Sequence, residues 1–183
     1  SFERIAAAVL RSSDASLYVG LAHPGVQPGG KTVKAPFDNI GWARSDGDKR
    51  FVCAAHTTEQ GDLRGKWLHD PSTVTPRGAH GKPTQPAGDL VKGIAYIRKL
   101  QEEHPGLEVT FALTTNREPS LEVVSQSQLL ADDAGIQIDI WSVSRIAHFL
   151  DTEPAGQVSH PAEPPRHAHQ TSLQAAPAGT GEA

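Results

Sequence analysis

An α/β domain built on a mixed sheet flanked by helices, in the order α-β-β-β-α-β-α-β-α, is the fold class that the sequence predicts. Three observations predict it. The early apolar runs are separated by short breaks, one of them an Asp-Gly turn, as in strands joined by tight connections. From Asp89 onward, helical apolar spacing and strand-like alternation take turns, an order that puts helices on both faces of a sheet. Finally, a chain of 183 residues suits one domain with a sizeable core, and its apolar share of 37% is low for a compact protein, in keeping with a last stretch almost without branched aliphatic side chains.

In order, Phe2, Ile5, Val9 and Leu10 recur at helical spacing and predict an opening amphipathic helix. Ser16–Ala22 (SLYVGLA) reads as a first strand, after which HPGVQPGG breaks regular structure. Phe37–Ala43 (FDNIGWA) and Phe51–Thr57 (FVCAAHT) read as the second and third strands, with Ser45-Asp46-Gly47-Asp48 turning between them. Residues 62–70 predict a short helix, and the polar run PSTVTPRGAHGKPTQPAG a long loop; loops of that length in compact domains are usually functional or mobile. Asp89 is placed as the N-cap of a helix carrying Leu90, Ile94, Ile97 and Leu100 and ending at His104-Pro105-Gly106. Val109, Phe111 and Leu113 alternate as a strand, and 120–134 predict a helix stopped by Gly135. Ile136, Ile138 and Ile140 form the last strand, and Ser142 caps a closing helix with Ile146, Phe149 and Leu150.

These elements make residues 1–151 the domain. Residues 152–183, rich in Pro, Ala, Gly and Gln and without an aromatic side chain, cannot bury enough apolar surface to offset their ordering entropy, so they are expected to be a disordered linker or tail. The chain has no Met, even at position 1, as expected of a piece of a longer protein. A single cysteine, Cys53, excludes an internal disulfide and suits a reducing, cytoplasmic compartment. No apolar run approaches the roughly 20 residues of a membrane span, and SFERIAAAVLRSS lacks the regions of a signal peptide. The net charge is −4, but residues 31–99 carry 12 Lys and Arg against 7 Asp and Glu, whereas 100–151 carry 2 against 9. One part of the fold is therefore expected to meet an anionic partner through Lys31, Lys34, Arg64, Lys66, Arg77 and Lys82; ordinary solvated faces explain the same counts.

Several chemistries drop out. There is no GxxxxGK[ST] loop, no GxGxxG after a strand and no GxSxG elbow. His160, His167 and His169 lack a second ligand pair for structural zinc. Cys53 and His56 are three apart on a strand and so point to opposite faces, which argues against a thiol–imidazole pair and places Cys53 in the core. Ala54 and His56, by the same alternation, share a face that Asp38, at the start of the preceding strand, can reach.

That layout resembles the restriction-endonuclease-like, or PD-(D/E)XK, nuclease superfamily, in which an acidic residue begins the second core strand and Glu-x-Lys occupies the third. The counterparts are Asp38 in PFDNIG and Ala54-Ala55-His56 in FVCAAHTT, so the motif is eroded. Glu3, in FERIAAAVL, matches an acidic residue that several branches of the superfamily place near the metal. The stretches GDLVKGIAYI, LEVTFALTTNR and GIQIDIWSVSRIAHFLD extend the resemblance over residues 1–151, the last being similar to the closing strand and helix of such domains in multidomain bacterial proteins, predicted defence NTPases among them. The resemblance implies a metal site at Asp38 and Glu3 holding Mg²⁺ or Mn²⁺; in place of the eroded residues, His56 is expected to act as a base or ligand, Lys66 to supply the missing cation, and Glu59 or Asp70 a missing carboxylate. The bland reading of each residue is that Asp38 caps a turn, His56 is a satisfied strand residue, Lys66 is a surface cation, Trp67 and Trp141 are core anchors, and Arg117, whose functional reading is phosphate binding, caps a helix.

Three functions follow as expectations. The first is a divergent metal-dependent nuclease acting on DNA, or in second place RNA, as an effector module of a larger bacterial protein, such as one in antiphage defence. The second keeps the fold but is inactive and binds nucleic acid or a partner protein. The third is a structural or homo-oligomerising module at the N-terminus of an NTPase.

Overall fold

The computed structural model describes residues 1–24, 34–45, 48–58, 61–73 and 85–152. Helix α1 (Phe2–Ser13) buries Ala6–Leu10, and Asp14 then caps the single turn α2 (Ala15–Tyr18) by accepting from the Leu17 amide at 3.1 Å. The expected strand over Ser16–Ala22 is therefore a helical turn. Of this segment, Ala22 alone pairs with a strand through its backbone, in an isolated antiparallel bridge to Ile40. Among the described residues the sheet accordingly has four strands, β1 (Asn39–Ser45), β2 (Asp48–Thr57), β3 (Glu108–Thr115) and β4 (Gln137–Trp141), in the order β1-β2-β3-β4. β1 and β2 are antiparallel, with Ser45 opposite Asp48; the Asp46-Gly47 pair expected to turn there lies outside the described residues. β2, β3 and β4 are mutually parallel. Such strands need long crossovers, and the sequence supplies them as helices.

The crossover from β2 to β3 contains α3 (Leu63–Leu68), a 3₁₀ turn (Pro71–Thr73) and α4 (Asp89–Glu103). The N-cap of α4 is Gly88 rather than Asp89, which is the first helical residue. Gly88 lies so close to the α3 backbone that a Cβ there would sit 2.3 Å from the Trp67 carbonyl carbon, and its amide donates to the His69 carbonyl at 2.8 Å. Only glycine fits this join, and it fixes where α4 begins. α5 (Leu121–Asp133) is capped by the Ser120 hydroxyl, which accepts from the Val123 amide, and ends before Gly135 at φ 67°. α6 (Val143–Thr152) closes the described chain. It includes Thr152, one residue past the expected domain end, and the proposed tail after it lies outside the described residues.

Strand alternation sorts the interior into two clusters. Phe51, Cys53 and Ala55 of β2 pack with Val109, Phe111 and Leu113 of β3 against Leu63 and Trp67 of α3, Leu90, Ile94 and Ile97 of α4, and Val123 of α5. Val52, Ala54, Ala112 and Trp141 pack on the other face against Val9 and Leu10 of α1, Tyr18, and Ile146 of α6. Three layers result, helices on both sides of a mixed sheet. Each fully buried Leu, Ile or Phe contributes about 1.5–3 kcal/mol of transfer free energy, so the central strands carry most of the stability. Trp67 and Trp141 are core anchors, the former donating from Nε1 to the Thr57 hydroxyl at 2.9 Å. Among the described residues no helix is long and apolar enough to cross a membrane.

Candidate functional site

The site grows from the end of the β1–β2 ladder. The Asp38 amide donates to the Ala54 carbonyl at 2.9 Å, one step before β1 proper. Its carboxylate Oδ2 accepts from the His56 amide at 2.7 Å. Asp38 thus closes the strand pair with its own side chain, the local substitution of carboxylate for carbonyl that favours Asp at such positions.

His56 is buried between two strands. Its Nε2 lies 2.6 Å from the Asn39 amide oxygen, an acceptor, so this nitrogen carries the proton. Its Nδ1 lies 2.7 Å from the Thr114 hydroxyl, which donates to it. The ring is the neutral Nε2–H tautomer with both nitrogens bonded. Burial pushes its pKa down, the Asp38 carboxylate opposes this, and the Arg11 guanidinium adds to the lowering. With both ring nitrogens engaged, His56, expected among the site residues, ties β2 to β1 and β3.

The linked stability effect has a definite sign. In the unfolded chain His56 takes up a proton near its ordinary value of 6.5, whereas in the fold it does so only at lower pH. Its contribution is therefore complete above 6.5 and is lost as pH falls from there toward the folded value. The thermal midpoint of the natural chain should fall between neutral pH and pH ~5 by more than that of His56→Gln. Parallel curves for the two proteins would show that His56 is not the titrating group.

Around Asp38 and His56 the surface opens into a cleft of about 410 Å³, lined also by Glu3 of α1, Lys66 of α3, and Asp89 and Lys92 of α4. Glu3 is exposed, while Asp38 and Lys66 are half-buried. Lys92 reaches back to Asp89 at 2.9 Å. A hollow of about 550 Å³ between α3 and the start of α4 shares Thr57, Lys66, Asp89 and Lys92 with the cleft. Both lie at the carboxyl end of β2, the end of parallel strands where open α/β sheets generally hold their ligands.

The four expected site residues, Glu3, Asp38, His56 and Lys66, therefore line one cleft. Ala54 does not: it is fully buried in the α1–α6 core. Asp70 accepts from the Ser72 amide and hydroxyl in the 3₁₀ turn and is not part of the cleft lining. Arg117 donates to the Gly61 carbonyl at 2.9 Å, which ties the ends of β3 and β2 together. Of the expected nucleic-acid-binding residues, Lys34 is exposed, and Arg64 is engaged by Glu122 at 2.8 Å and Gln126 at 3.2 Å. Lys31, Arg77 and Lys82, like Glu59, lie outside the described residues. Cys53 is fully buried, which pushes its thiol pKa up and keeps it from acting as a nucleophile.

Among the described residues no group of three or more His, Cys, Asp or Glu side chains is arranged to hold a metal ion. Of the three carboxylates lining the cleft, Asp89 is paired with Lys92, which leaves Glu3 and Asp38. Mg²⁺ is commonly bound by one or two carboxylates together with substrate phosphates rather than by an all-protein cage. Sequence reasoning missed Asn39 and Thr114, the two partners of His56, because the β1–β2–β3 register that brings them together has no local signal. It also missed Asp139, whose Oδ2 accepts from Tyr18 at 2.7 Å and Trp141 at 3.0 Å and whose Oδ1 accepts from Arg145 at 2.8 Å. That hub clamps α2 and α6 onto β4, and burial against the carboxylate pushes the Tyr18 pKa upward.

No protein-family model matches the chain, and a search of curated proteins finds no match either.

Proposed function

We propose that the chain is a divergent restriction-endonuclease-like domain that hydrolyses phosphodiester bonds in DNA, or in RNA, at the Glu3–Asp38–Lys66 cleft. The observation that carries the reading is the meeting of two carboxylates and a lysine, contributed by α1, the start of β1 and α3, in one cleft at the carboxyl end of β2. The antiparallel bridge of Ala22 to Ile40 adds support, since it lies on the side of β1 where such a fold carries its first strand.

Asp38 and Glu3 are the residues that would hold a divalent ion, Mg²⁺ or Mn²⁺. When bound, such an ion supplies Lewis-acid polarisation of the phosphate and a more acidic water. Asp38 is prealigned for this because the His56 amide fixes its carboxylate. Lys66 brings positive charge to the phosphate oxygens, where negative charge builds as water attacks and the ester oxygen leaves. His56 positions rather than reacts. Its ring pins β1 to β3 and so holds Asp38 in place.

A second reading is favoured by a specific observation. Ala54 and His56, at the two eroded motif positions, are both structural here, as expected of an inactive domain that only binds nucleic acid or a partner protein. One assay separates them. The chain is incubated with single- and double-stranded DNA and RNA in Mg²⁺, in Mn²⁺ and in chelator. The nuclease reading expects cleavage that the chelator abolishes; binding without cleavage in either metal gives the second reading.

A further inference from the structure

Glu3, Asp38 and His56 also line a second hollow beside the cleft. This cavity, of about 460 Å³, is lined also by Arg4, Ala7 and Arg11 of α1 and by His23. Positions 4, 7 and 11 fall on one helix face, so the two guanidinium groups flank a small residue that leaves room between them. Arg11 is half-buried, and its pKa is lowered by the loss of water around it. Its Nη1 donates to the Leu21 carbonyl at 3.1 Å, while its Nε is sealed from water and bonds to nothing in the structure. Among the described residues no carboxylate lies within ion-pair distance of Arg11 or Arg4. A desolvated cation without a counter-charge is costly, and one beside an open cavity gains most from an anion that enters it. Arginine pairs suit phosphate oxygens in particular, through forked hydrogen bonds. The acidic lining of this cavity is confined to the residues shared with the cleft.

We propose that this cavity is an anion site that holds a phosphate group of a nucleic-acid strand whose neighbouring phosphate lies in the Glu3–Asp38–Lys66 cleft. The inference rests on the nucleic-acid reading above and extends it: the substrate is a polynucleotide that spans the cleft and this cavity, not a mononucleotide.

The test uses the full chain and a short fluorescein-labelled single-stranded DNA, with anisotropy read over a range of salt. Arg4→Gln/Arg11→Gln should weaken binding at least about tenfold whatever the base sequence, and flatten the salt dependence of log K by about 0.7 for each phosphate no longer neutralised. Arg4→Gln alone alters an exposed side chain and gives a smaller loss, which keeps the test valid if Arg11→Gln fails to fold. Arg11→Lys should recover part of the affinity. Unchanged affinity and slope in a folded double variant overturn the proposal. Inorganic phosphate that raises the melting temperature of the natural chain but not of the double variant, with no oligonucleotide binding, assigns the site to free phosphate and overturns the nucleic-acid source. Arginine-dependent binding without cleavage in Mg²⁺ or Mn²⁺ upholds the anion site and refutes only hydrolysis.

Discussion

Ala54→Glu, alone or with His56→Lys, unfolds the domain instead of restoring a metal ligand. Position 54 is where the superfamily motif would carry its second carboxylate, so the double change is the obvious repair of an eroded site. The structure gives it a different outcome. Ala54 is fully buried and packs among Val9, Leu10, Tyr18 and Trp141. A glutamate there adds a methylene and a carboxyl group beyond what the core holds, an overpacking cost of about 1–3 kcal/mol. It also places a carboxylate in an apolar site, at an effective cost of several kcal/mol even after relaxation. Against a typical total stability of about 5–15 kcal/mol, the sum leaves little or no folded protein. His56→Lys compounds the loss, because a lysine ammonium can donate to Asn39 and Thr114 but cannot span both in the ring's place. Circular dichroism melts and urea midpoints measure the effect. A variant that melts with the natural chain and gains Mg²⁺-dependent cleavage would show that position 54 opens to the cleft after all.

The contrast between positions 54 and 38 shows what a sequence of this kind reveals. Alternation along β2 correctly put Ala54 and His56 on one face and Cys53 on the other, because period-two geometry is a property of the strand itself. The β1–β2 pair and the Ile136–Ile140 strand were legible for the same reason, and the helices starting near Asp89 and Ser120 through their 3.6-residue spacing and caps. Ser16–Ala22 was not. In seven residues a strand-like run and a helical turn are not separated by periodicity, and the deciding contacts are Asp14 capping Leu17 and Tyr18 reaching across 121 positions to Asp139. The state of His56 was equally hidden. Asn39 and Thr114 lie 17 and 58 residues away along the chain, and only the register of three strands makes them its partners. The cations of α1 were visible as letters but carried no signal, since nothing local distinguishes Arg11 beneath a cavity from an arginine in solvent.

On the proposed nuclease reading, Asp38→Asn should separate the structural from the chemical role of Asp38. The amide oxygen of asparagine can still accept from the His56 amide, so the strand cap survives and the melting temperature should move little. The negative charge is gone, and with it one of the two carboxylates available to a divalent ion. The electrostatic contribution of a bound ion to phosphoryl transfer amounts to several kcal/mol, and each ~1.4 kcal/mol is a factor of ten in rate. Cleavage by Asp38→Asn should therefore fall at least about 100-fold. Glu3→Gln, on an exposed face of α1, should lose activity to a similar degree with no change in stability. DNA affinity measured without metal should be retained in both, because neutralising a carboxylate removes repulsion from the phosphates. Asp38→Ala differs from Asp38→Asn in one respect: it leaves the His56 amide without its acceptor, at a further cost of about 1–3 kcal/mol in stability. Raised Mn²⁺ that recovers cleavage in Asp38→Asn or Glu3→Gln, but not in the double variant, would locate the ion between the two residues. Full cleavage by a folded Asp38→Asn/Glu3→Gln chain would remove the cleft from the chemistry altogether.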